Sequence, residues 1–317
     1  MTIQNKKSFA GRNPFLLILT AFIWGIAFVA QSAGGEAVGP YTFNCIRSFV
    51  GSLVLLPAIA FLDHLKLTKH KPNTKQEKKA LLIGGVSCGI ILGVASNLQQ
   101  LGLYFGSSAG KAGFLTACYI LIVPILGLLL KKTCGWNIWI SVAITLIGLY
   151  LLCMKDTFSL QFSDALLLLC AFVFAIHILV IDHFSPLVDG VRMSCIQFFV
   201  AGILSAVPMF FLEMKHSIHV IIKWAPALAS PTAWVPLLYA GIFSCGVAYT
   251  LQIVGQQGVN PTIASLLLSL ESVFSVIAGW IILNEKMGTR ELCGCALIFM
   301  AVILAQIPIK KPAHRHS

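Results

Sequence analysis

Ten apolar runs, each about as long as a bilayer is thick, constrain this chain more than any other feature. Read between charges and helix breakers, they cover about 14–34, 41–62, 80–104, 109–130, 136–154, 163–183, 191–212, 232–256, 260–283 and 290–308. A helix needs about 20 mostly apolar residues to cross the hydrocarbon layer. Inside lipid such a segment must also satisfy its own backbone hydrogen bonds, which a helix does. Only 10% of the 317 residues are charged, against about 25% in a soluble domain, so the chain cannot cover a water-facing surface. The expectation is an all-α polytopic membrane protein with ten transmembrane helices.

The net charge of +11 raises nucleic acid as a partner, but the lysines and arginines sit at the ends of apolar runs. That placement fits the positive-inside rule, and no nucleic acid is expected. With the N-terminus inside, fifteen basic residues fall on the cytoplasmic side, nine of them between Lys6 and Lys79. The other side holds five: Lys155, Lys215, Lys223, Lys286 and Arg290. Both termini are therefore expected in the cytoplasm of a bacterial cell, in its plasma (inner) membrane. The first run follows "NKKSFAGRN" and ends in small residues, as a signal peptide does. Its full-span length and its place in the repeat below make it a retained helix. Nine of the ten cysteines lie in or beside apolar runs and Cys134 lies in a short turn. Cysteine acts there as a small hydrophobe, so neither a metal nor a redox cofactor is expected.

The chain repeats. "CIRSFVGSLVLLPAIAFLD" from Cys45 and "CIQFFVAGILSAVPMFFLE" from Cys195 share cysteine, isoleucine, phenylalanine and valine at an offset of 150, and each ends on an acid. "AFIWGIAFV" from Ala21 matches "AFVFAIHIL" from Ala171 at the same offset. Farther on, Leu98, Gln99 and Gly102 face Leu251, Gln252 and Gly255 at an offset of 153. Two repeats result, 1–155 and 156–317, each with five spans. Five is odd, so the second enters the membrane from the opposite side. Inverted repeats are a common plan of secondary transporters, with the substrate site near the midplane between them.

Ten spans in two such halves resemble the drug/metabolite transporter superfamily, specifically its EamA-type members. The likeness is carried by "AFIWGIAFV", by "GSSAGKAGFLTACYILIVPILGLLLKK" from Gly106, and by the stretch from Asn260 to Gln306. The resemblance implies export or exchange of a small metabolite. Family members place a proline after the acidic or amide residue of the ninth span and a Gly-Glu pair at its end. Here Ser272 and Asn284-Glu285 stand in those places, and Cys118 and Tyr119 fill the corresponding ones in the first half.

Glu271 lies near the middle of "SLLLSLESVFSVIAGWIIL", where a charged side chain costs roughly 2.5–3.5 kcal/mol by insertion scales. Such residues face a bundle interior or a wet cavity. Glu271 could bind a cationic group or carry a coupling proton, since burial disfavours a charged carboxyl. It could equally pair with Arg47 or Lys111. Gln99 and Gln252 occupy matching positions, so inverted symmetry brings them near one axis. Tyr249, Gln252 and Gln256 share one face of the eighth helix, and Asn97, Gln100 and Tyr104 share one on the third. These faces could line a path or make interhelical hydrogen bonds. Mid-span Trp24 could wall a cavity or pack, and His177 could relay a proton or be structural. Tyr119 joins the path candidates.

Two G-x-S-x-G matches, "GVSCG" and "GSSAG", lack the strand-turn-helix setting of a nucleophile elbow. Gly85, Gly89 and Gly93 read instead as a ridge for close helix packing. With no P-loop and no clustered catalytic pair, the expectation is a non-enzymatic secondary transporter. Its expected partners are a small-molecule substrate and the lipid bilayer, with a coupling proton as a further candidate, in a monomer or homodimer. An intramembrane enzyme, or a receptor or scaffold, is the alternative.

Overall fold

A computed structural model describes residues 5–68, 71–107, 109–132, 135–153, 161–214, 226, 228, 230–282 and 288–307. Cys134, Lys155, Lys215, Lys223, Trp224, Asn284, Glu285, Lys286, Lys310, Lys311 and Arg315 lie outside them. Among the described residues eight helices are long and apolar enough to cross a bilayer, and two shorter apolar stretches, Arg12–Phe28 and Trp136–Leu152, bring the set to ten.

In chain order α1 is Asn5–Val38, α2 Pro40–His64 and α3 Lys75–Tyr104. α4 is built from Ala109–Ala117 and Tyr119–Leu129, and α5 is Trp136–Cys153. α6 is Phe162–Phe184, and α7 is Gly190–Pro208 continued by a π turn, Met209–Glu213. α8 joins Pro231–Leu238, a π segment Tyr239–Ala248 and Tyr249–Gly255. α9 joins Pro261–Leu268 and Leu270–Ile282, and α10 is Thr289–Gln306.

The two-fold relation of the repeats is visible in the packing. α2 packs on its repeat mate α7, and α5 on α10. Phe49 and Phe199, mates at the offset of 150, meet edge-on with ring centroids 6.0 Å apart. The acids that close the two matching stretches do matching work. Glu213, at the end of α7, accepts the backbone N–H of Tyr41 and Thr42, both at 2.8 Å, at the start of α2. Asp63, near the end of α2, accepts from Arg192 at the start of α7 at 2.7 Å. A helix N-terminus leaves N–H groups without partners and favours negative charge. Gly39 makes room for Glu213 with φ +92°, where a Cβ would lie 2.9 Å from the carboxylate.

The packing units are not the sequence halves. α6 lies against α3 and α4, while α1, from the first half, lies against α8 and α9. Ion pairs hold the first group at both ends: Lys111 to Asp164 at 2.6 Å, and Lys132 to Asp182. The second group is held by side-chain donors on backbone carbonyls, Thr20 to Ala248 and Tyr239 to Ile23, both at 3.1 Å. Gly25 lets α1 press on α9; a Cβ there would lie 2.6 Å from Phe274 Cβ and 2.8 Å from the Glu271 carbonyl. The Gly85–Gly89–Gly93 ridge seats α3 on α7, where added Cβ atoms would meet Ile196, Gln197 and Leu204 at 2.6–2.7 Å.

Candidate functional site

Two helices lose their regular ladder at mid-span. In α4, Cys118 separates the segments and Leu121 N–H reaches back three residues to the Cys118 carbonyl at 3.0 Å. In α9, Ser269 does the same, with Ser272 N–H on its carbonyl at 3.2 Å. Local side-chain bonds compete with the helix there. The hydroxyls of Ser265 and Ser269 donate to the carbonyls of Thr262 and Leu266, both at 2.8 Å. Each break is followed at once by a side chain of interest: Tyr119 begins the second segment of α4, and Glu271 sits in the first turn of the second segment of α9.

Between the two helix groups lies a small cavity of about 40 Å³. One wall comes from Gln99 on α3, Thr116 and Tyr119 on α4, and Phe174 and Ile178 on α6. The other comes from Trp24, Phe28 and Gln31 on α1, Ser244, Tyr249 and Gln252 on α8, and Leu268 and Glu271 on α9. Arg47 of α2 completes it. Much of the wall is symmetric, because Trp24 and Phe174, Phe28 and Ile178, and Gln99 and Gln252 are repeat mates.

Glu271 is 6% exposed and accepts the Tyr119 hydroxyl at 3.3 Å. That bond spans the cavity from one helix group to the other. Arg47 is 5% exposed; its guanidinium lies 5.5 Å from the Phe43 ring centroid, and its Nε has no acceptor among the described residues. No carboxylate of the described residues lies within ion-pairing distance of Arg47, and Lys111, in the first turn of α4, is engaged with Asp164. The Trp24 ring packs 4.5 Å from that of Tyr249, centroid to centroid, and its buried Nε1 has no acceptor among the described residues. Gln99 donates weakly to Thr116 at 3.4 Å, and the buried Gln252 carbonyl oxygen has no donor among the described residues.

Six of the residues singled out in the sequence thus line the cavity: Trp24, Gln99, Tyr119, Tyr249, Gln252 and Glu271. Four lie behind its wall. Asn97 accepts from Asn44 at 2.9 Å and from Ser205 at 3.2 Å. Gln100 donates to the Gln31 carbonyl at 3.2 Å. His177 Nε2 and the Gln197 amide oxygen are 3.2 Å apart, fully buried, and Gln256 is buried with neither amide atom partnered among the described residues. Gln31, Thr116, Ser244 and the cavity-facing pose of Arg47 were not read from the sequence. Phe174 was within reach, because the offset that pairs Ala27 with His177 also pairs it with Trp24. Among the described residues no group of three His, Cys, Asp or Glu side chains could hold a metal.

The model of the EamA-like transporter family matches twice, over residues 13–154 and 161–306. An uncharacterized transporter from Archaeoglobus fulgidus is 28% identical over 294 residues, covering 92% of this chain and 85% of that protein. The uncharacterized transporter YoaV of Bacillus subtilis is 22% identical over 293 residues, covering 91% and 94%. A solved crystal structure shares the fold with a TM-score of 0.73 at 15% identity, covering 93% of this chain and 98% of the other.

Proposed function

This chain belongs to the EamA-like transporter family, and on that premise we propose that it exports or exchanges a small metabolite by alternating access, with the solute held against Glu271. The observation that carries the reading is the Tyr119–Glu271 hydrogen bond, which joins two helix groups across the cavity between them. The rocking bodies are α3–α4–α6 and α1–α8–α9, turning about the α2–α7 contact, rather than residues 1–155 against 156–317. A solute or a proton that takes up Glu271 competes with Tyr119 for the carboxylate. Occupancy and the tie between the two bodies are coupled in this way. Glu271 is the acid on the cavity wall, so a proton moving against the solute binds there, facing Tyr119, Tyr249 and Arg47. The Lys and Arg bias supports an orientation with both termini in the cytoplasm of a bacterial cell. One chain builds the whole cavity, so a monomer suffices and a homodimer is two working units.

The test is counterflow in proteoliposomes across a panel of zwitterionic, cationic, anionic and uncharged metabolites, wild type against Glu271→Gln, at several pH values. Wild type is expected to exchange at least one solute. Glu271→Gln, folded as wild type, is expected to lose on the order of tenfold or more of that rate and its pH dependence. If no solute moves, the transport reading fails. Equal flux from the variant at every pH would make Glu271 a packing residue.

A further inference from the structure

We propose that the solute seated in this cavity is a small zwitterion, its carboxylate on Arg47, its ammonium on Glu271, and its apolar body against Trp24 and Tyr249. The proposal rests on the cavity being the transport site and adds the class of solute that fits it.

Two buried side chains of opposite charge face the same space, and neither neutralises the other. Arg47 carries five donors; its guanidinium lies over the face of Phe43, its Nε has no acceptor among the described residues, and no carboxylate of those residues pairs with it. Glu271 meets the Tyr119 hydroxyl, and no cation of the described residues lies within ion-pairing distance. A charge removed from water is costly unless it is paired and hydrogen-bonded. A monocation would relieve Glu271 and add repulsion at Arg47. A monoanion would do the reverse, and an uncharged solute would compensate neither. A zwitterion compensates both and leaves the net charge of the cavity unchanged.

The repeat supplies an independent observation. In the second half the place of Arg47 is taken by Gln197, which pairs with His177 behind the cavity wall. In the first half the place of Glu271 is taken by Cys118, which bonds back to the Phe114 carbonyl at 3.5 Å. Neutral side chains therefore satisfy helix packing at these positions, and the charges serve what enters the cavity. The aromatic side chains beside them, Trp24 over Tyr249 with Phe28 and Phe174, offer the solute's body an apolar surface.

Leucine, its decarboxylated analogue isoamylamine and its deaminated analogue isocaproate test this directly. Leucine is expected to raise the unfolding temperature of the purified wild-type protein and to exchange in proteoliposomes. The amine and the acid are expected to compete on the order of tenfold more weakly. Glu271→Gln should shift preference from leucine toward isocaproate, and Arg47→Gln from leucine toward isoamylamine, each on the order of tenfold. A packing role would lower all three together and leave the ratios alone. If a variant does not fold, the wild-type measurements decide. Amine or acid bound as tightly as leucine overturns the proposal, as do unchanged ratios in both active variants. Exchange of another panel solute without leucine overturns it while the transport reading stands. Failure of every solute overturns both.

Discussion

In the first repeat α2 carries Arg47 and α4 carries Cys118; at the matching places of the second, α7 carries Gln197 and α9 carries Glu271. Around these four positions the repeats agree in shape, with Trp24 opposite Phe174, Phe28 opposite Ile178 and Gln99 opposite Gln252 on one cavity. The difference separates two demands on the chain. Shape is shared because each half must present the same surface to its inverted mate. Charge is divided, as the zwitterion proposed above requires, because each half would offer such a solute a different side chain. The helix groups differ in the same spirit: α4 and α6 are clasped by ion pairs at both ends, whereas α1 is held to α8 by hydroxyl donors on backbone carbonyls.

The severest way to break this comparison is to force the charge into the wrong repeat. Gln197 is fully buried against His177, so Gln197→Arg leaves a guanidinium there without an anion. It is expected to cost roughly 3–5 kcal/mol of stability, seen as lost folded yield or a lower unfolding midpoint in detergent. An Arg at 197 that folds as wild type would mean that the two positions are equivalent. A milder test uses the next pair of mates. Gly25 has no room for a methyl group against Phe274 and the Glu271 carbonyl, while its mate Ala175 already carries one. Gly25→Ala is expected to destabilise by about 1–3 kcal/mol, and Ala175→Gly by about 1 kcal/mol, the helix-propensity cost. Reversed costs would show that the close approach of α1 and α9 is not what holds that group.

Two smaller effects sharpen the comparison. Tyr119→Phe removes the hydroxyl that reaches across to Glu271, a hydrogen bond to a carboxylate worth about 1.5–3 kcal/mol. The exchange rate of whichever solute proves active is expected to change several-fold while the protein remains folded. No change would remove the tie between the helix groups from the mechanism. Gln99→Leu and Gln252→Leu come last, each expected to lower exchange by a few-fold, the scale of one neutral hydrogen bond at about 1 kcal/mol. Comparable losses support a solute that passes both amides; a loss at only one places the path on that side of the axis.

Much of this was legible before any coordinates. The ten observed helices begin and end within a few residues of the apolar runs, apart from α1, which starts nearer the N-terminus and ends beyond its run. The glycine ridge of α3 does meet a neighbouring helix closely. The breaks at Cys118 and Ser269 were not visible, since neither residue is a helix breaker and the cause is a set of short side-chain bonds back to the backbone. Asn97 and Gln100 share a helix face with a register that suited a path, yet both bond to neighbouring helices behind the wall.

Span number and the inverted repeat follow from the chain alone, because lipid demands unbroken apolar length and an odd count of spans reverses direction. Hydropathy does not say which helices keep company when nearly every face is apolar. Close packing decided that α1 leaves its own half for α8 and α9 and that α6 joins α3 and α4. The same packing turned Arg47 and Glu271 toward one cavity and left His177 behind its wall, against Phe174 and Tyr249.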